Sequence, residues 1–307
     1  MHLYNIKTKI VSSNYRISRA FKNAKRICFN SESKFVFFSD SHRGDNGFAD
    51  DFAHNRNMFK HALEHYFNND FTYIELGDGD ELWENRNFTN IFRANKHIYM
   101  WLKKFHDKNR LHFIWGNHDM KYKNPKIIRK NLHYYYDSVT DTKKELLIGA
   151  SFSEAIVLED ENTNKKIFLL HGHQADWFNY VFWRLSSFLV KVLWKPLQIL
   201  GFSDPTSPAQ NWKERIKVEH KLEKWIQENN NQMMITGHTH RPRFPDKNEI
   251  PFFNDGSCVH PRSVTGIEIE NNEITLIKWH IITNENGTMQ IKRTVLEGPE
   301  SLTHYMN

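Results

Sequence analysis

Five times along the chain, a short apolar run ends abruptly at a polar cluster. Lys34–Ser39 leads into Asp40-Ser41-His42, and Phe71–Leu76 into Gly77-Asp78. Leu111–Trp115 leads into Gly116-Asn117-His118-Asp119, Ile167–Leu170 into His171-Gly172-His173, and Met233–Thr236 into Gly237-His238-Thr239-His240. Runs rich in β-formers and without polar alternation predict strands buried on both faces. Between them, Phe52–Phe67, Ile91–Asp107 and Trp212–Glu228 have helical patterns. Strand–helix alternation of this kind predicts an α/β fold. In such folds the carboxyl ends of the strands open on a common crevice, so five separate clusters can converge there. The last third differs. Gly266–Glu270, Ile274–Ile282 and Thr288–Leu296 are joined by Asn271-Asn272 and by Asn284-Glu285-Asn286-Gly287, and read as antiparallel hairpins. Residues 12–28 read as a basic amphipathic helix. Ser13 or Asn14 would be its N-cap, and Ile17, Phe21, Ala24 and Cys28 its apolar stripe.

A chain of 307 residues supports one large domain or two small ones. Its 39% hydrophobic and 25% charged residues are ordinary for a soluble protein. The net charge of +6 is uneven. Lys7, Lys9, Arg16, Arg19, Lys22, Lys25 and Arg26 crowd the first 30 residues, which contain no acid, and the remainder is close to neutral. That pattern argues against a nucleic-acid-binding surface, and a nuclease is disfavoured with it. Cys28 and Cys258 form no CxxC pair, so no disulfide framework and a reducing, cytoplasmic setting are expected. The segment MHLYNIKTKI lacks the apolar core of a signal peptide. No uncharged apolar run reaches the roughly 18 residues of a spanning helix.

Residues 177–202 are nonetheless the most hydrophobic stretch, with Arg184, Lys191 and Lys195 as their only charges and Pro196 as a helix breaker. Three readings stay open: a core helix, a lid over an apolar substrate, or an element at a membrane surface or dimer contact.

Asp40, His42, Asp78, Asn117, His171, His238 and His240 together offer carboxylate, amide and imidazole donors. This mixture suits divalent Mn, Fe, Zn, Co or Ni. Seven donors exceed one tetrahedral site, but with one shared carboxylate they supply two sites with positions left open. Singly, each has a plainer reading: Asp40 as a helix cap, Asn117 as a turn residue, any one histidine as a surface or core residue.

The ordered set D-x-H, G-D-x-x-E, G-N-H-D, H-G-H and G-H-T-H resembles the calcineurin-like metallophosphoesterase superfamily. It is carried by Asp40/His42, Gly77-Asp78 with Glu81, Gly116–Asp119, His171–His173 and Gly237–His240, and spans about residues 35–245. The resemblance implies a four-layer α/β/β/α sandwich of two mixed sheets. A basic N-terminal helical segment, residues 1–33, would pack on a metallophosphoesterase domain, residues 34–307. An apolar helical insertion, about residues 176–228, would lie between the fourth and fifth motifs.

The implied activity is hydrolysis of a phosphoester or pyrophosphate bond, with two divalent cations, manganese favoured, and a metal-bridging hydroxide as nucleophile. Asp40, His42 and His240 would hold the first cation, Asn117, His171 and His238 the second, and Asp78 both. His118 would protonate the leaving oxygen, oriented by Asp119. Arg43, His173 and His260 are candidate substrate contacts.

The insertion and the sequence Gly237–Pro242 are also similar to the UDP-diacylglucosamine hydrolase branch. That likeness implies a lipid-linked or nucleotide-sugar pyrophosphate substrate, reached by peripheral membrane contact through residues 177–202. Here, however, His118 stands where that branch commonly has arginine, and His173 where it commonly has aspartate. Otherwise the expected partner is a phosphorylated small molecule. A non-catalytic scaffold is the remaining alternative, although no ligand is missing. The sequence does not fix the oligomeric state.

Overall fold

The computed structural model describes residues 12–85, 87–176 and 211–306. The described part begins with α1 (Ser13–Lys22), β1 (Lys25–Phe29), β2 (Phe35–Phe38), α2 (Arg56–Asn68), β3 (Thr72–Glu75), α3 (Phe88–Asp107) and β4 (Leu111–Ile114). Then come α4 (Pro125–Leu132), β5 (Tyr134–Asp137), β6 (Thr142–Glu145), β7 (Phe152–Ser153), β8 (Ala155–Asp160) and β9 (Lys166–Leu170). The described part closes with α5 (Trp212–Glu228), β10 (Met234–Thr236), β11 (Phe252–Asn254), β12 (Ser263–Glu270), β13 (Glu273–Thr283) and β14 (Met289–Ser301).

Two mixed sheets result. One has the order β1-β8-β9-β10-β11 and the other β14-β13-β12-β2-β3-β4-β7, while β5 and β6 pair separately. Strand alternation decides what each face touches, because successive side chains point to opposite faces. Phe35 and Phe37 of β2 join Ile74, Ile156, Leu158, Ile167 and Leu169 in one core cluster, which therefore lies between the sheets. Their neighbours Val36 and Phe38 pack with Phe59 and Leu63 of α2 and Leu102 of α3 on the outer face of the larger sheet. Val157, Phe168 and Leu170 pack with Ile17 of α1 and Leu222 and Trp225 of α5 on the outer face of the smaller one. The fold is mixed α/β, and the central strands β2, β3, β9 and β10 are buried on both faces as their uninterrupted apolar runs require. In the last third, Asn271 and Asn272 are both left-handed, at φ 54° and 58°, which suits the two-residue turn between β12 and β13.

The expectation of one helix over residues 12–28 is corrected. Ser12 is the N-cap, its hydroxyl accepting from the Tyr15 amide, and Asn23 caps the other end after Lys22. Arg26, Ile27 and Cys28 then run parallel to β8 as the edge strand β1. Residues 1–11 and the apolar stretch 177–202, with its three readings, lie outside the described residues. Among the described residues, no helix is long and apolar enough to cross a membrane.

Candidate metal centre

β2, β3 and β4 are parallel neighbours in the larger sheet, and β9 and β10 in the smaller one. Their carboxyl ends carry all seven predicted donors. The two sheets meet here: His171 Nδ1 bonds to the Leu76 carbonyl at 2.8 Å, and His240 Nε2 lies 3.1 Å from Asp40 Oδ1. The backbone turns sharply where β2, β3 and β10 end. Asp40, His42, Asp78, His238 and His240 all have left-handed backbones, with φ of 49°, 44°, 53°, 68° and 54°. Non-glycine residues pay of order 1–3 kcal/mol for such strained conformations and cluster at functional sites. Backbone bonds from Asp40 N to Gly77 O, His42 N to Asp78 O and Arg43 N to Gly79 O tie the first two loops together. Packing is tight enough to require glycine. A methyl group on Gly116 would sit 2.0 Å from Asp78 Oδ1.

Ligand-type atoms gather in three overlapping groups, each within 4.8 Å: Asp40/His42/His240, His42/Asp78/His118 and Asp78/His171/His238. Asp78 joins the two sides. Its Oδ2 lies 3.2 Å from His171 Nε2 and 3.8 Å from His42 Nε2, and its Oδ1 accepts from the His118 amide at 2.8 Å.

The electrostatics favour positive charge at these points. Burial alone would raise the Asp78 carboxyl, but the imidazoles of His171 and His118 hold it well below the usual carboxylate range. Asp40 is likewise held low, with His240 and His171 outweighing burial. Conversely, burial disfavours an imidazolium at His171, yet Asp78 and Asp40 raise its pKa to about 9.

The residues fit a cation pair on a further count. His42 Nε2, Asn117 Oδ1, His171 Nε2 and His238 Nε2 are buried without a hydrogen-bond partner. Each such atom costs about 1–3 kcal/mol, and native proteins keep few of them. All four are expected ligand atoms. Glu81 Oε2, 2.9 Å from His42 Nδ1, and the Leu76 carbonyl at His171 Nδ1 would fix the tautomers that present Nε2 as a donor lone pair.

Several expected roles change. Asp119 does not orient His118. Its two oxygens accept from the amides of Gly79 (2.9 Å) and Gly116 (2.6 Å), which staples two metal-motif loops together. Glu81 holds His118 instead: its Oε2 lies 2.6 Å from His118 Nδ1 as well as contacting His42. The His118 ring stacks on Trp83, with centroids 4.0 Å apart. Adjacent residues in a tight turn point apart, whereas Glu81 faces His118 across the crevice.

Glu81→Gln should therefore keep the fold but lower turnover roughly 10–100-fold, the usual cost of losing such a support. Steady-state kinetics and circular dichroism together check this, and unchanged turnover would refute it.

Arg43 is not available to a substrate. It is 2% exposed, and its guanidinium donates to Glu75, Asp80 and the Ser41 hydroxyl. His173 is fully buried, its ring 5.4 Å from His171, so burial also removes it from direct substrate reach. His260 stays partly exposed on the His240 side, where burial and then His240 lower its pKa. Trp83, and Asp176 at 3.6 Å from His238 Nε2, were not foreseen. Both follow a motif within a few residues, which was the only signal for them.

No curated protein is detectably similar in sequence. Vacuolar protein sorting 29 from Cryptosporidium parvum aligns at 14% identity and a TM-score of 0.38, over 87% of this chain and 98% of that one. A predicted phosphoesterase from Streptococcus pneumoniae aligns at 16% and 0.35, over 86% and 97%. Vps29 complexed with zinc from Entamoeba histolytica aligns at 14% and 0.36, over 86% and 99%. The sequence model for calcineurin-like phosphoesterases matches residues 33–242, which carry every one of the five motifs, and the chain belongs to that family.

Proposed function

We propose that the protein is a dinuclear-metal-dependent hydrolase of a phosphoester or pyrophosphate bond. One observation carries this reading: Asp78 belongs to ligand groups on both sides of the site, among buried ligand-type atoms that make no hydrogen bond. Asp40, His42 and His240 would hold one divalent cation, Asn117, His171 and His238 the other, with Asp78 shared. Manganese is the favoured metal of the five that such donors suit. When bound, the pair supplies Lewis acidity toward phosphoryl oxygens and, by lowering the pKa of water toward about 7, a nucleophile at neutral pH.

The protein's own groups do the rest. Glu81, within hydrogen-bond reach of His118 Nδ1, leaves Nε2 of that ring to face the leaving oxygen. The Trp83 face against the ring prevents it from turning away. His118 then donates a proton as the ester bond breaks, and charge on the leaving oxygen does not accumulate. Arg43 is consumed within the protein and does not reach a substrate phosphate, which the bound cations would help to orient.

The test is hydrolysis of p-nitrophenyl phosphate and bis-p-nitrophenyl phosphate by purified protein with and without added Mn²⁺. Activity should vanish with a chelator and return with metal. His118→Ala should keep its metal content while turnover falls about 10²–10⁴-fold, the range of general acid–base catalysis. Loss of metal in that variant would instead make His118 a ligand. Absence of cleavage across both esters and a panel of nucleotide-sugar pyrophosphates would leave a binding scaffold as the better reading.

A further inference from the structure

Asp40 is gripped from outside the ligand set. Its Oδ2 accepts from Ser39 Oγ at 2.5 Å and from the His238 amide at 2.8 Å. Those two bonds leave Oδ1 facing His240 Nε2 at 3.1 Å and His42 Nε2 at 3.6 Å. Ser39 Oγ also lies 2.6 Å from Asp255 Oδ1. A serine hydroxyl has only one hydrogen to give. If Asp40 receives it, the Asp255 oxygen must carry a hydrogen of its own, or lone pairs would face each other at contact distance. Ser39, Asp40 and Asp255 are all buried, so water cannot relieve that conflict. An ionised Asp255 would also add a further buried negative charge beside Asp40. Burial above all pushes the Asp255 carboxyl well above the usual carboxylate range.

The same loop holds Asp40 a second time. Cys258 N and Ser257 Oγ reach the Asp40 carbonyl at 3.4 Å and 3.3 Å. Asp255 itself is fixed by its amide, which donates to Thr236 O at 2.9 Å at the end of β10. The strained Asp40 backbone is thus supported from β10 and from the loop after β11.

We propose that Asp255 is a positioning residue of the metal centre: a neutral hydrogen-bond donor that aligns Ser39, so that Ser39 turns Asp40 to offer only Oδ1 to a cation. The proposal rests on the reading of Asp40 as a metal ligand. Asp255 touches neither substrate nor metal and acts through Ser39.

The experiment compares Asp255→Asn, Asp255→Ala and Ser39→Ala in the full chain, with thermal unfolding as the fold control. An asparagine keeps the shape and an N–H donor but can carry no negative charge. Mn²⁺ affinity by calorimetry should stay within about threefold of the parent in Asp255→Asn. In the two alanine variants it should fall roughly 10–100-fold, the range for lost outer supports of metal ligands. A loss in Asp255→Asn as large as in Asp255→Ala overturns the proposal, since charge would then be required. Parent-like affinity in Asp255→Ala overturns it too.

Infrared spectra of chelator-treated protein at neutral pH read the hydrogen directly. A protonated-carboxyl stretch that the parent shows and Asp255→Asn lacks supports the proposal, and identical spectra in that region refute it. Because this second readout needs neither Mn²⁺ nor turnover, it tells failure of the Asp255 assignment apart from failure of the hydrolase reading.

Discussion

Asp78→Asn should lower metal-dependent phosphoester turnover by about 10³-fold or more. Metal charge stabilisation is worth several kcal/mol in such reactions, and each 1.36 kcal/mol is a tenfold change in rate. Asp78 is the carboxylate common to the His42 and the His171/His238 groups. Neutralising it removes the charge that both cations would share. It also removes the largest favourable influence on the His171 imidazolium, whose pKa Asp78 helps to raise. The substitution keeps the size of the side chain, and its amide oxygen can still accept from the His118 amide, a bond of 2.8 Å in the parent. Folding should therefore survive. Metal content by mass spectrometry, kcat/KM on bis-p-nitrophenyl phosphate and a melting curve check the three parts. A folded variant that retained full metal and activity would remove Asp78 from the centre of the proposed mechanism.

The sequence made the site legible because chemistry and strand ends coincide. Each of the five runs stopped where a ligand began, so one pattern reported both a buried strand and its polar terminus. β8 was missed for the complementary reason. Its residues Ala155–Leu158 are as buried as those of β9, but it ends at Asp160 in an ordinary turn that carries no chemistry. α1 was extended too far because Ala24 and Cys28 continue its spacing, although Asn23 ends the helix and parallel pairing with β8 claims the residues that follow.

Side-chain partnerships were the least legible part. Sequence adjacency suggested Asp119 for His118, while the carboxylate actually in contact belongs to Glu81 across the crevice. Arg43 looked like a phosphate contact because its carboxylate partners lie 32 and 37 residues further along the chain. A signal did exist. Glu75 interrupts the apolar run Phe71–Leu76, and a carboxylate inside a buried strand demands a cation somewhere.

That buried arginine gives the second large effect, on stability rather than on rate. Its Nη1 and Nη2 form a fork on Glu75 at 2.5 Å and 2.9 Å, and its Nε donates to Asp80 Oδ1 at 2.8 Å. The hydroxyls of Tyr73, Tyr99 and Tyr122 complete the cluster, donating to Glu75 and to both oxygens of Asp80. No member has water to fall back on, since Arg43, Glu75 and Asp80 are each at most 2% exposed.

Removing one partner of such a pair strands the other charge, at a cost of about 3–5 kcal/mol. Arg43→Ala should therefore melt of order 10 °C lower than the parent, at about 2–4 °C per kcal/mol for a domain near this size. Arg43→Lys should fall between the two, because an ammonium keeps the charge but cannot span Glu75 and Asp80 with a planar fork. The diagnostic variant is Arg43→Ala with Glu75→Gln. If a stranded charge is what destabilises, removing that charge must restore part of the loss, and the two substitutions must be strongly non-additive. Additive destabilisation would mean that Arg43 contributes packing alone. The consequence reaches the metal centre, because Arg43 follows His42 directly and Asp80 follows Asp78 by two residues. The arginine thus fixes the spacing of the two loops on which three of the seven donors are carried.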